Sequence, residues 1–140
     1  PEAQVLMMKM KGDFFGLLKL TSNESLRKFN SYENFWDSHA SLGVVVAAGG
    51  YPENPELGKK IEISPDLHIN DNQLQFFHAG TDLKDGVLKT SGGRVLCVTV
   101  LESNVFMARE KVYLELKKVH FERMQYRQDI GENIENKKNN

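Results

Sequence analysis

The sequence predicts an α+β protein: N-terminal helices, then a small antiparallel β-sandwich or barrel with one flanking helix. Val5 to Leu20 is apolar almost all the way round a helical wheel, Leu42 to Leu101 breaks into five short runs separated by turn residues, and Ser103 to His120 has a helical period. The 140 residues, 40% hydrophobic and 26% charged, are one ordinary domain's worth of material. A chain of this size buries roughly two-thirds of the surface that it exposes when unfolded, enough for a core without disulfides or a structural metal.

In the first segment Val5, Leu6, Met7, Met8, Met10, Phe14, Phe15, Leu17, Leu18 and Leu20 are interrupted only by Lys9, Lys11, Gly12, Asp13, Gly16 and Lys19. A surface helix shows one apolar stripe, so a helix this apolar expects partners on more than one side, or is the central core helix of a small domain. Gly12 and Gly16 weigh against an unbroken helix. Thr21 to Ser41 predicts a short second helix or helical connector, with Ser22 and Ser25 as caps and the aromatic cluster Phe29, Tyr32, Phe35 and Trp36 better suited to packing than to stacking on a ligand.

From Leu42 the pattern changes to strands. Leu42 to Ala48 is a buried strand ended by Gly49-Gly50-Tyr51-Pro52, Lys59 to Ile63 alternates, and Leu74 to His78 follows the polar turn Asn70-Asp71-Asn72. Gly86 to Thr90 and Arg94 to Leu101 flank Ser91-Gly92-Gly93, which predicts a hairpin turn. The last helix buries Val105, Ala108, Val112, Leu116 and Val119, capped by Ser103 or Asn104. Met124 to Gly131 is then extended, and Glu132 to Asn140 is a tail too polar to pack.

The charge balance excludes some functions. Eighteen Lys+Arg against nineteen Asp+Glu leave a net charge of −1, so nothing argues for nucleic acid or an anionic membrane as partner. No apolar run approaches the ~20 residues that span a bilayer, and no signal-peptide pattern appears, so a soluble protein is expected. A single cysteine, Cys97, fits a reducing, cytoplasmic setting. It lies mid-strand, as a core thiol rather than a nucleophile. His39, His68, His78 and His120 are scattered without ligand spacing, so no metal site is expected, and no residue is assigned a catalytic role. The segment Lys89-Thr90-Ser91-Gly92-Gly93-Arg94 offers a Gly-rich turn whose N–H groups, with an adjacent Arg, suit a phosphate. Gly-Gly between strands is first of all a turn, and Arg94 equally suits a surface ion pair. The turns Gly49-Gly50-Tyr51-Pro52 and His78-Ala79-Gly80-Thr81 are likewise turns first.

Several phrases together carry a resemblance: Ala40-Ser41-Leu42-Gly43-Val44-Val45-Val46-Ala47-Ala48-Gly49-Gly50-Tyr51-Pro52, Phe77-His78-Ala79-Gly80-Thr81, Gly92-Gly93-Arg94-Val95-Leu96-Cys97-Val98-Thr99 and Tyr126-Arg127-Gln128-Asp129-Ile130-Gly131. In this order they resemble the C-terminal part of the glycinamide ribonucleotide synthetases, or phosphoribosylamine–glycine ligases, of the ATP-grasp superfamily. The opening Pro1-Glu2-Ala3-Gln4, without an initiator Met, is similar to the end of the stretch that closes the family's ATP-grasp domain, as in a piece of something longer.

The resemblance implies a ligation in purine biosynthesis. ATP phosphorylates the carboxylate of glycine, and the amine of 5-phosphoribosylamine attacks the acyl phosphate, giving glycinamide ribonucleotide, ADP and phosphate. ATP and Mg²⁺ (or Mn²⁺) would serve the full-length enzyme. The family's metal-ligating residues lie upstream of the match, so no cofactor and no activity are expected of this chain alone, and its partner would be the ATP-grasp portion. The implied fold resembles the C-terminal domain of biotin carboxylase. The implied division is 1–22, the terminal helix of the ATP-grasp domain; 23–40, a helical connector; 41–131, the β-rich domain; and 132–140, the tail. By analogy with related ligases Arg94, beside Gly93, would hold the ribose phosphate, assisted by Lys89. Glu2 would bind the glycine amine or hold a nearby Arg, and His78 and Thr81 would face the cleft. The competing reading is a free-standing, non-catalytic β-sandwich module for binding or scaffolding. Such a module would bury Val5 to Leu20, whereas a ligase fragment would expose it or pair it with another copy.

Overall fold

The computed structural model describes residues 2–29, 35–66 and 72–132. Tyr32 of the aromatic cluster, the Asn70-Asp71 part of the polar turn, His68 and the tail beyond Glu132 lie outside the described residues. The described chain holds α1 (Glu2–Lys9), α2 (Phe14–Ser22), β1 (Ala40–Ala47), β2 (Glu62–Ile63), β3 (Leu74–His78), β4 (Thr81–Lys84), β5 (Val87–Thr90), β6 (Arg94–Glu102), α3 (Val105–Leu116) and β7 (Val119–His120), with a 3-10 turn at Leu26–Lys28.

The expected single helix from Val5 to Leu20 is two helices. Gly12 sits at the break because a Cβ there would lie 2.1 Å from the Phe35 ring, and Phe35 is itself buried. The chain must turn to let that ring in. Asp13 restarts the helix as a cap, its Oδ1 accepting from the Gly16 N–H at 2.9 Å. Neither α1 nor α2 buries a residue completely. Among the described residues the expected short helix or helical connector holds the 3-10 turn, and Phe29 and Phe35, and Phe35 and Trp36, meet edge to face at 5.3 and 5.1 Å.

The principal sheet is antiparallel in the order β1-β6-β3. Its central strand β6 is buried from Val95 to Leu101, as expected of a strand covered on both faces. The register pairs Val44 with Val98, Leu42 with Val100 and Val46 with Leu96. These side chains form the core with Ala108, Val112 and Leu116 of α3, which packs on β1 and β6. Alternation sends Gly43, Cys97 and Thr99 to the other face, where α1 lies. A Cβ on Gly43 would meet Val5 Cγ2 at 3.1 Å and Cys97 Sγ at 3.3 Å. Burial pushes the Cys97 thiol pKa up, with the Thr99 hydroxyl opposing it. Asn104 caps α3, accepting from the Met107 N–H at 3.0 Å.

Ser91-Gly92-Gly93 is not a hairpin turn. β5 pairs with β4, whereas β6 pairs with β1 and β3, so the glycine segment carries the chain from one sheet to another. The hairpin turns instead at Asp85-Gly86, with φ of 52° and 74°. Two consecutive left-handed residues match the right-handed twist of the flanking strands, and Asp-Gly is suited to that geometry. β2 and β7 form a further two-stranded pair, Glu62 opposite His120.

Candidate functional site

Three turns converge where β6 begins. Gly80 N–H donates to the Arg94 carbonyl at 2.8 Å, Ala79 N–H to the Val95 carbonyl at 3.0 Å, Ser91 N–H to the Gly80 carbonyl at 2.8 Å and Ala48 N–H to the Gly93 carbonyl at 2.8 Å. The turns 48–51, 79–81 and 91–94 thus form one hydrogen-bonded end to the sheet. Glycine at 93 makes room for an aromatic ring: a Cβ there would fall 2.4 Å from Tyr51 Cδ2. Five N–H groups in these turns, that of Tyr51 to the Ala48 carbonyl among them, are already donated to carbonyls. The charged group that these three turns present is the Arg94 side chain.

Arg94 is exposed and lines two adjoining hollows. One, of about 550 Å³, lies between the glycine turns and α1 and includes Gly80, Gly93, Tyr51 and Gln4. The other, of about 500 Å³, lies along β1 and includes Val45, Gln125, Tyr126 and Arg127. Among the described residues the Arg94 guanidinium makes no hydrogen bond or ion pair. Its charge is the weakest of the influences that hold the Glu2 carboxyl below its usual pKa, behind the residue's own backbone N–H and the N-terminal amine.

Of the residues singled out in the sequence, Arg94 and Gly93 therefore share a cavity wall, with Glu2 in electrostatic reach. His78 and Thr81 bond to each other, Nδ1 to Oγ1 at 2.9 Å. Lys89 stands on β5 opposite Asp82, half-exposed. None of these three lines either hollow. Sequence reasoning passed over Tyr51 and Gln125, which line them. Tyr51 carried a signal, since an aromatic ring between Gly-Gly and Pro is a ready cover for a glycine backbone; Gln125 carried none.

The family model described as phosphoribosylglycinamide synthetase, C domain, matches residues 41–133. The chain belongs to this family. It is 40% identical over 131 residues to the phosphoribosylamine–glycine ligase of Vibrio parahaemolyticus, covering 94% of this chain and 29% of that protein. It is 43% identical to the Ralstonia nicotianae ligase and 41% identical to that of Escherichia coli O157:H7, in each case over 94% of this chain and 30% of the relative. The crystal structure of the Thermotoga maritima phosphoribosylamine–glycine ligase superimposes with a TM-score of 0.64 at 35% identity, covering 81% of this chain and 27% of that one. The chain thus spans 29 to 30% of the length of these curated relatives. The resemblance drawn from the four sequence phrases holds, and so does the α+β class.

Among the described residues no group of three or more His, Cys, Asp or Glu side chains is placed to hold a metal ion. Among the described residues no helix is long and apolar enough to cross a membrane.

Proposed function

We propose that this chain forms one wall of the substrate cleft of a cytoplasmic ATP-grasp ligase of purine biosynthesis, which joins glycine to 5-phosphoribosylamine with ATP hydrolysis. The observation that carries this reading is the Arg94 guanidinium, exposed at the mouth of two hollows and without an ion-pair partner among the described residues. A guanidinium fork suits two oxygens of a phosphate monoester, the group that distinguishes the phosphoribosyl substrate from glycine. Gly93 lines the same hollow as Arg94, and Glu2 would oppose Arg94 with a charge complementary to the glycine amine. Lys89, Thr81 and His78 line neither hollow and would act on the ligand's periphery.

ATP and Mg²⁺ would be held by the ATP-grasp portion, where the resemblance puts the family's metal-ligating residues; among the described residues of this chain no cluster of three or more ligating side chains offers a second place for the metal. Mg²⁺ would supply charge compensation for the triphosphate, and no step performed by this chain passes through it. The surface of α1 and α2 favours a partner domain over an independent module: Phe15 is 76% exposed and Leu18 51%. A free-standing module would bury such side chains.

The test is Arg94→Ala in the full-length ligase. The KM for 5-phosphoribosylamine rises by the equivalent of about 1.5–3 kcal/mol, the range for a hydrogen bond to a charged group, and the ATP KM stays nearly constant. An equal loss for both substrates overturns the phosphate role.

A further inference from the structure

Gln125 joins the two sides of the Arg94 cavity. Its backbone pairs with Ala47 in both directions, at 2.8 and 3.0 Å. Its side-chain Nε2 donates to two carbonyls of the neighbouring turn, Ala48 at 2.9 Å and Tyr51 at 3.1 Å. That turn is the one whose Ala48 N–H holds the Gly93 carbonyl at 2.8 Å and whose Tyr51 ring lies on Gly93. A continuous chain of contacts therefore runs from the Gln125 amide through the turn to the residue before Arg94. Gln125 and Arg94 also line the same hollow along β1.

We propose that Gln125 is a positioning residue for Arg94, setting where the guanidinium stands by fixing the 48–51 turn; this rests on the phosphate-binding reading of Arg94. Two carbonyls aimed at one amide need a double donor, which glutamine supplies and neither a glutamate nor a methionine of similar length can. Without it, Tyr51 loses its anchor, Gly93 loses the ring that confines it, and Arg94 starts from a looser turn. A displacement of that kind weakens a bidentate contact while leaving distant chemistry alone.

The experiment compares steady-state kinetics of the full-length ligase carrying Gln125→Met and Gln125→Glu. The expected result is a five- to tenfold rise, by order of magnitude about one or two hydrogen bonds, in the KM for 5-phosphoribosylamine, with kcat and the KM values for ATP and glycine unchanged. In an Arg94→Ala background, Gln125→Met adds nothing further, because it acts through the missing side chain. Tyr51→Leu keeps the Gln125 hydrogen bonds but removes the ring from Gly93, and it gives the same KM signature; it decides the question alone if the Gln125 variants do not fold. If Arg94→Ala raises the KM and neither Gln125→Met nor Tyr51→Leu does, the positioning role is wrong and the Arg94 reading stands. If Arg94→Ala itself leaves the KM unchanged, the underlying reading fails and the positioning role falls with it. A loss shared by kcat and all three KM values marks Gln125 as merely structural.

Discussion

Gly80 and Gly92 stand backbone to backbone. A Cβ on Gly80 would lie 2.5 Å from the Gly92 Cα and 2.7 Å from its nitrogen, so the turn after β3 and the turn before β6 are closed against each other without room for a methyl group. Gly80→Ala is expected to cost about 1–3 kcal/mol, the range for overpacking against atoms that cannot rotate away. Denaturant unfolding of the variant measures it. A midpoint equal to that of the parent protein would show that the two turns are not held together in solution.

Gly86→Ala isolates a different cost. Nothing lies within 4 Å of a Cβ at this position, yet its φ is 74°. The loss is then conformational alone, about 1–2 kcal/mol for a non-glycine residue in the left-handed region. The same unfolding assay reads it, and Gly58→Ala, also in open space with φ of 77°, should match it closely.

Acid should loosen the junction between the N-terminal helices and the sheet. The Asp37 carboxylate accepts from Lys11 Nζ at 2.7 Å, from the His39 N–H at 2.7 Å and from His39 Nδ1 at 2.5 Å. The Lys11 hydrogen bond first, then the bonds to His39, hold its pKa well below the ordinary 3.8. A carboxyl depressed in the folded state contributes stability that is present above its unfolded pKa and is lost as pH falls through the folded value. The parent protein should therefore lose stability below about pH 4, and Asp37→Asn should be less stable at neutral pH with a shallower acid slope. Urea midpoints between pH 7 and pH 2 test this, and identical slopes would remove Asp37 from the account.

The exposed apolar residues of α2 should matter only in the larger protein. Phe15→Ser, at a side chain 76% exposed, is expected to change the stability of this chain by less than about 0.5 kcal/mol. In the full-length ligase the same change should lower the unfolding midpoint. An effect of equal size in both would mean that Phe15 packs within this chain.

Where packing follows local pattern, the sequence was legible. Val44-Val45-Val46 announces β1, the run from Val95 to Leu101 announces a strand buried on both faces, and Ala108, Val112 and Leu116 announce the face of α3. Of the two failures one depended on a residue far away in the chain and the other on a local signal. The helix break at Gly12 follows from Phe35, and the partner of β5 is β4 rather than β6 because Asp85-Gly86 turns tightly. That dipeptide was visible and outranks Ser91-Gly92-Gly93 as a hairpin signal. In the candidate site, Arg94 and Gly93 were accessible because glycine beside arginine is a chemical combination. Gln125 was not, since an amide between Met124 and Tyr126 has no distinguishing neighbour and its partners are 74 and 77 residues away.

Arg94 is the first residue of a strand flanked by two others, with every side chain from Val95 to Leu101 buried. Its Cα is therefore tied to the core on the strand side and to the 48–51 turn, through Gly93, on the other. Ordering a free backbone residue costs about 1–2 kcal/mol in entropy, and here that cost falls on folding rather than on association. A ligand arriving at the guanidinium has only side-chain rotamers to still, so its affinity is taxed less than it would be at an arginine carried on a mobile loop.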